Sequence, residues 1–416
     1  VGESLLEFSE ETPTSYRWVV LASYSTIALV SQILWLSFAP VTTIVAQVLN
    51  ISETYVGMLS MSWPLIFIPA SIPAGAIIDK YGFRAGILIG SFFMSIGAVL
   101  RILTLDNYFL LFTAQAIAGI GQPFIFNSIT KLSVEWFPVR ERALATGVGV
   151  MGQYIGMITA MVFTPTLVPF PEKGLLVNAL SLYAALTVIG SLLFFIVGKE
   201  RKTVMHNSLE AKASISLHEI ALFLKTRDLM ILSGVFFIGV GVFTALLTWL
   251  EPMLVLRGLE VAEAGLIGGV MLTGGIIGSI LIPGISDRMR RRKPFIVLDL
   301  AVATVMFILL ASQEDFTIIG LSSFVLGFFM MSALPIGLEL SAEIVGPKLA
   351  GSVSSVLWLF SQIGAVAYIP LLDAVKGATQ HLYPSNPYFA SMNAIVVSTS
   401  SALVLSLMLK ETPSQR

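Results

Sequence analysis

Twenty of the chain's 24 Lys and Arg residues fall in loops on one side of an alternating ladder of apolar stretches. They are Arg17; Lys80 and Arg84; Lys131, Arg140 and Arg142; six residues between Lys199 and Arg227; five between Arg288 and Lys293; Lys348; and Lys410 and Arg416. Only Arg101, Lys173, Arg257 and Lys376 lie on the other side or within a stretch. Loops that remain in the cytoplasm retain positive charge, whereas loops that cross the bilayer are depleted of it. The asymmetry holds only if the chain spans a membrane twelve times with both termini inside.

The predicted spans are 18–47, 54–78, 84–104, 107–130, 143–168, 176–198, 229–254, 262–285, 294–312, 316–342, 350–373 and 388–409. Each is long enough for the roughly 20 residues that cross hydrocarbon, and lipid leaves the backbone only the helix as a self-satisfied form. Charged residues are 12% of the chain and mean hydropathy is +0.88, against about 25% charged in soluble domains. The first sixteen residues are acidic and polar, which is not the pattern of a cleavable signal peptide. The long hydrophilic insert in the middle divides the chain into a tail 1–17, a six-span half 18–198, a cytoplasmic linker 199–228, a second half 229–409 and a tail 410–416. Ser216 and Glu219 have capping-box spacing and predict a short surface helix over 216–224.

The halves echo each other. The loop after span 2 carries Asp79 and that after span 8 carries Asp287, 208 positions on; Pro123 and Pro335 are 212 apart in spans 4 and 10. Eight residues after these prolines stand Lys131 and Glu343. The expected fold is therefore an all-α membrane protein of twelve helices in two pseudo-symmetric six-helix bundles. Such repeats meet around a site near the bilayer midplane and rock to give alternating access.

The run Gly75-x-x-x-Asp79-x-x-Gly82-x-Arg84, with a degenerate copy at Asp287-Arg288, resembles the signature loop of the major facilitator superfamily. Trp35 and its spacing to Leu59-Ser60-Met61, the run Val134-Glu135-Trp136-Phe137, Leu167-Val168-Pro169 and the stretch Gly327 to Glu343 resemble the feline leukaemia virus subgroup C receptor-related branch. The resemblance implies movement of a small organic solute, with choline, ethanolamine and haem linked to that branch. In the branch, an aromatic pair from spans 1 and 7 encloses a quaternary ammonium group. Trp35 stands at the first position, but Thr244, with Phe243 beside it, stands at the second.

Several residues are candidates for the working parts. Trp35 offers a π face to a cation, and Gln32 is one turn earlier on the same face. Gln153 and Tyr154 in span 5 and Gln362 in span 11 are polar where polar groups need partners, so each is either a solute contact or an interhelical bond. Asp79 and Arg84 read as a conformational latch, Asp79 accepting from the N-terminal end of span 11 and Arg84 pairing with carboxylates of span 4 or of the opposite half. Asp287 and Arg288 are the matching pair. Glu343 and Lys131 read as an ion pair. Glu339, one turn before Glu343, is either a proton-coupling group or a carboxylate kept ionised by an inner-loop Arg. Glu251 marks the outer end of span 7, as a gate or as part of an interfacial belt. The glycines at 147, 149, 152 and 156 form a smooth helix face.

No Walker loop, nucleophile–base pair or metal-ligand cluster is present, so neither an enzyme nor a cofactor is expected. The three histidines, His206, His218 and His381, lie outside the spans and there are no cysteines, which leaves haem iron no His or Cys ligand within a span. The net charge of −1 carries no nucleic-acid signal. The expected partners are a small-molecule substrate and the lipid bilayer, and the expected state is a monomer in the plasma membrane. The alternatives are a proton-coupled carrier of an anionic or zwitterionic metabolite using Glu339, a drug–proton antiporter, which the sequence Met151-Gly152-Gln153 in span 5 disfavours, and a membrane receptor without flux.

Overall fold

The computed structural model describes residues 15–200, 226–346 and 350–410. Most of the linker, with the helix expected at 216–224, and most of both tails lie outside the described residues, as does Lys348. Among the described residues all regular structure is helical. The helices are α1 (Tyr16–Leu36), α2 (Thr42–Leu49), α3 (Glu53–Leu103), α4 (Tyr108–Trp136), α5 (Arg142–Leu167), α6 (Lys173–Val197), α7 (Arg227–Val255), α8 (Val261–Met289), α9 (Lys293–Ser312), α10 (Phe316–Val345), α11 (Ala350–Thr379) and α12 (Phe389–Leu407).

Span 1 is not the continuous helix expected over 18–47. It breaks between α1 and α2 at a short 3-10 turn, Ala39–Val41, with Pro40 inside it. Proline has no N–H to continue the ladder. Arg101 braces the break from α3. It is fully buried and its Nη1 donates to the Leu34 carbonyl at 3.1 Å, to Ser37 Oγ at 2.9 Å and to Gln115 Oε1 at 3.0 Å. A cation at the last turn of α1 opposes the negative end of its dipole.

Helix α3 holds spans 2 and 3 together. Its 51 residues would run to about 77 Å if straight, more than twice a hydrocarbon core of roughly 30 Å. Gly82, at φ 91° and ψ 167°, breaks it. A Cβ on Gly86 would stand 2.4 Å from the Ile78 side chain, whereas residues eight apart in one helix are separated by about 12 Å. The chain therefore reverses at Gly82, and α3 crosses twice, giving twelve crossings among the described residues.

The pseudo-repeat extends to backbone detail. Gly82 and Arg290, 208 positions apart, both have positive φ. Asn107 and Asp315, also 208 apart, cap α4 and α10 by accepting from Leu110 N (3.2 Å) and Ile318 N (3.0 Å). Glycines set the closest packing. A Cβ on Gly156 would meet the Leu29 carbonyl of α1 at 2.1 Å, and one on Gly364 of α11 would meet the Phe237 carbonyl of α7 at 2.0 Å. Gly149 and Gly152 also lie on α1, while Gly147 faces open space.

Candidate functional site

The two halves touch at one end. Among the described residues, every side-chain hydrogen bond and ion pair between them lies at the end away from the basic loops. Glu251 of α7, fully buried, accepts from the Thr43 backbone N–H at 3.0 Å and from the Thr43 hydroxyl. Lys376 of α11 reaches Glu53 of α3 at 2.5 Å, and the Tyr388 hydroxyl donates to the same carboxylate at 2.8 Å. Gly57 leaves room for the Trp249 ring, which a Cβ would meet at 2.4 Å. One apolar cluster, with Leu36, Met157 and Met161 from the first half and Leu246, Trp249 and Ile369 from the second, seals this end.

Below the seal the halves diverge around a cavity of about 450 Å³. The first half contributes Gln32, Trp35, Gln153 and Tyr154 to its wall, and the second contributes Phe243, Thr244 and Gln362. The seven residues singled out for solute contact thus surround one space. The wall continues to Thr130, next to Lys131, and to Leu338, next to Glu339, so the cavity extends toward the basic end.

The Trp35 ring is oriented by a defect in its neighbour. Pro64 cannot donate to the carbonyl four residues earlier, which leaves that of Ser60 free. Trp35 Nε1 donates to it at 3.1 Å. With its N–H engaged, the indole lines the cavity. Gln153 lines the cavity, and the Tyr24 hydroxyl of α1 donates to the Ile125 carbonyl at 3.1 Å.

Sequence reasoning missed Gln122, Phe126 and Trp358, which also line the wall. Gln122 adjoins the repeat proline Pro123, and its counterpart Leu334, 212 positions on, lines the wall too. Among the described residues the wall contains six aromatic rings, those of Trp35, Phe126, Tyr154, Phe236, Phe243 and Trp358, and no charged side chain.

The basic end is organised differently from the latch expected there. Arg84 donates not to a carboxylate but to the carbonyls that end α6, Nε to Gly198 at 2.5 Å and Nη2 to Phe195 at 3.3 Å. Lys131 and Glu343 do not pair with each other. Lys131 Nζ donates to the Ile78 (2.7 Å) and Asp79 (3.1 Å) carbonyls, while Glu343 accepts from Arg292 Nε at 3.1 Å. Each half thus ties its own signature loop to its own fourth helix, with the charges exchanged. The Asp79 side chain is exposed, and the residues that begin span 11 lie partly outside those described. Asp287 pairs with Arg292, the counterpart of Arg84, while Arg288 is exposed. Burial would lower the Arg292 guanidinium pKa, but the Asp287 and Glu343 carboxylates outweigh it and raise it. Glu339, its side chain 59% exposed, comes only to 3.9 Å from Arg292. It is an exposed carboxylate beside an inner-loop arginine. Glu200 lies against Gly82; burial raises its pKa more than Lys131 and its Arg84 and Phe83 neighbours lower it.

Comparison with known proteins agrees with this geometry. Residues 23–368 match the family model of the Major Facilitator Superfamily. The chain is 27% identical over 411 residues to solute carrier family 49 member A3 of Xenopus tropicalis, covering 94% of this chain and 84% of that protein. It is 24% identical over 371 residues to the human choline/ethanolamine transporter FLVCR2, covering 85% and 70%. A bacterial homologue of the lysosomal transporter Spinster, in an inward-facing and unoccupied conformation, superposes with a TM-score of 0.79 at 17% identity, covering 95% of this chain and 97% of that one.

Proposed function

The chain belongs to the Major Facilitator Superfamily, as a membrane transporter in the branch related to FLVCR, and from that premise we propose that it carries a small organic cation of the choline or ethanolamine type. The halves 18–198 and 229–409 rock as units about the cavity, within a monomer in the plasma membrane whose termini face the cytoplasm. On that orientation the state described is inward-open.

The observation that carries this reading is the cavity wall, which among the described residues has six aromatic rings, amide and hydroxyl groups, and no charged side chain. Ring faces attract a cationic head without a counter-charge, and the glutamines and Thr244 suit a small hydroxyl or amine. An anionic or zwitterionic metabolite would face, among the described residues, a wall without a Lys, Arg or His to neutralise its carboxylate. Trp35 and Phe243 supply the two aromatic faces, with Thr244 widening the cage on the second half. Glu251, Glu53 and Lys376 form the outer gate.

Thermal unfolding of the purified chain with choline, ethanolamine, betaine or an amino acid tests the reading, since a ligand of the folded form raises the melting temperature by mass action. Choline or ethanolamine is expected to raise it and to exchange across proteoliposomes. A shift with betaine or the amino acid alone would overturn the assignment.

A further inference from the structure

One buried acid has no part in the cavity or the gates. Asp299 lies within α9, fully buried, and among the described residues neither of its carboxyl oxygens has a hydrogen-bond partner. The nearby Ser332 hydroxyl of α10 spends its proton on the Phe329 carbonyl at 2.7 Å, so it has only lone pairs left to offer the carboxyl.

Among the described residues no charge compensates it. The helices packed against α9 are α10 and α12. Between Phe389 and Leu407, α12 has no ionisable side chain. The ionisable groups of α10, Glu339 and Glu343, are on the Arg292 side, at 3.9 and 3.1 Å from that guanidinium. On α9 itself, Lys293 donates to the Leu407 carbonyl at 2.8 Å. An ionised carboxylate facing a lone pair, without donor or counter-charge, is among the costliest arrangements in a membrane. A neutral carboxylic acid fits, because it supplies the proton that Ser332 can accept. A metal cation does not, since it requires several oxygens, and no group of three candidate ligands exists among the described residues.

The position has access to the transport cycle. Ile296 and Leu300, on either side of Asp299 in α9, line the cavity, as do Met331 and Ala333 on either side of Ser332. The first half carries Ser91 at the equivalent position, 208 residues earlier, with its hydroxyl closed onto the Ile87 carbonyl at 2.6 Å. The acid is thus peculiar to the second half.

We propose that Asp299 is a proton-binding site, a carboxylic acid held neutral behind the cavity wall in the state described here, whose ionisation drives the transporter out of that state. The proposal rests on alternating access but not on which solute is carried. A proton taken from water in the cavity stabilises the packing of α9 on α10; its release requires α9 to expose the carboxylate to water, and so a different arrangement of the halves.

The chain has no cysteine, so spin labels can be placed directly at Y81C and M289C, two exposed and pseudo-equivalent positions at the basic end. As pH is raised, the label separation in the otherwise unchanged protein is expected to move from a long to a short population. Each pH unit beyond the ionisation changes their ratio by up to roughly tenfold. With Asp299→Asn added, the long population is expected at every pH, and with Ser332→Ala the transition is expected at lower pH. Infrared spectra of the full chain are expected to show the carbonyl band of a protonated buried acid that Asp299→Asn removes. A pH transition unchanged in Asp299→Asn, no transition at all, or no such band would each overturn the proposal. None of these measurements uses a solute, so failure of choline to bind would leave the role of Asp299 untouched.

Discussion

The carboxylate of Glu251, at the outer end of α7, accepts the backbone N–H of Thr43 in the first half at 3.0 Å and its hydroxyl as well. This tie joins pseudo-equivalent ends of spans 1 and 7 across the seam that must part if the cavity is to open on the other side. A hydrogen bond to a charged group contributes about 1.5–3 kcal/mol. Glu251→Gln is therefore expected to shift the balance toward the outward-open state by roughly tenfold or more. Spin labels at F170C and L382C, in exposed loops at the closed end, should report a longer separation. An unchanged distribution would show that apolar packing alone closes the seam.

The Trp35–Ser60 contact makes a two-part prediction. Trp35→Ala removes a ring face, and should weaken choline binding by roughly 3- to 30-fold, corresponding to a cation–π contribution of about 0.5–2 kcal/mol. Pro64→Ala leaves the ring in place but restores the N–H that Ser60 lacks, so the carbonyl returns to its own helix and the indole loses its anchor. A smaller loss of affinity is expected, read by the same ligand-dependent shift in melting temperature. Equal affinity in all three proteins would remove Trp35 from the site.

Gly82 and Arg290, two of the positions with positive φ, should respond with opposite sign. Gly82, at φ 91° and ψ 167°, is in a region essentially reserved for glycine, where another residue costs about 1–3 kcal/mol. A Cβ there would also meet the Glu200 carboxylate at 1.5 Å. Gly82→Ala should lower thermal stability clearly. Arg290 sits at φ 53°, a left-handed conformation that costs a side-chain-bearing residue roughly 1–2 kcal/mol, so Arg290→Gly should be neutral or stabilising.

The paired acids of α10 should separate in the same way. Glu343→Gln removes the 3.1 Å partner of a largely buried arginine and is expected to cost about 1.5–3 kcal/mol of stability. Glu339→Gln touches an exposed pair at 3.9 Å and should stay within about 0.5 kcal/mol. It should also leave any response of solute flux to a proton gradient unchanged. A flux that loses that response in Glu339→Gln would restore Glu339 as the coupling acid.

The legibility of the site followed the same division. That Gln32, Trp35, Gln153, Tyr154, Phe243, Thr244 and Gln362 share one space was readable because polar or aromatic residues deep in an apolar span have few places to face. Gln122 and Asp299 were readable by the same rule and were overlooked, Asp299 as the one carboxylate in the apolar run 294–312. The brace from Arg101 to Leu34 was not readable. It depends on the exact break in span 1 and on the rotation of α3 about its axis. The partners of Arg84, Lys131 and Glu343 were likewise misread, because spacing along the chain places a charge at a depth in the membrane but does not fix the direction in which it points.

Hydropathy and the one-sided basic loops determined the crossings and the repeat from sequence alone, because transfer to lipid is a cost each segment meets on its own, residue by residue. The tertiary structure decided which end is shut, which carbonyl receives the Trp35 indole, and that Asp299 stands without a counter-charge among the described residues. Those outcomes depend on helix rotation and on the tilt of one half against the other, set by many small contacts acting together, such as Gly57 beneath Trp249 and Glu251 on Thr43.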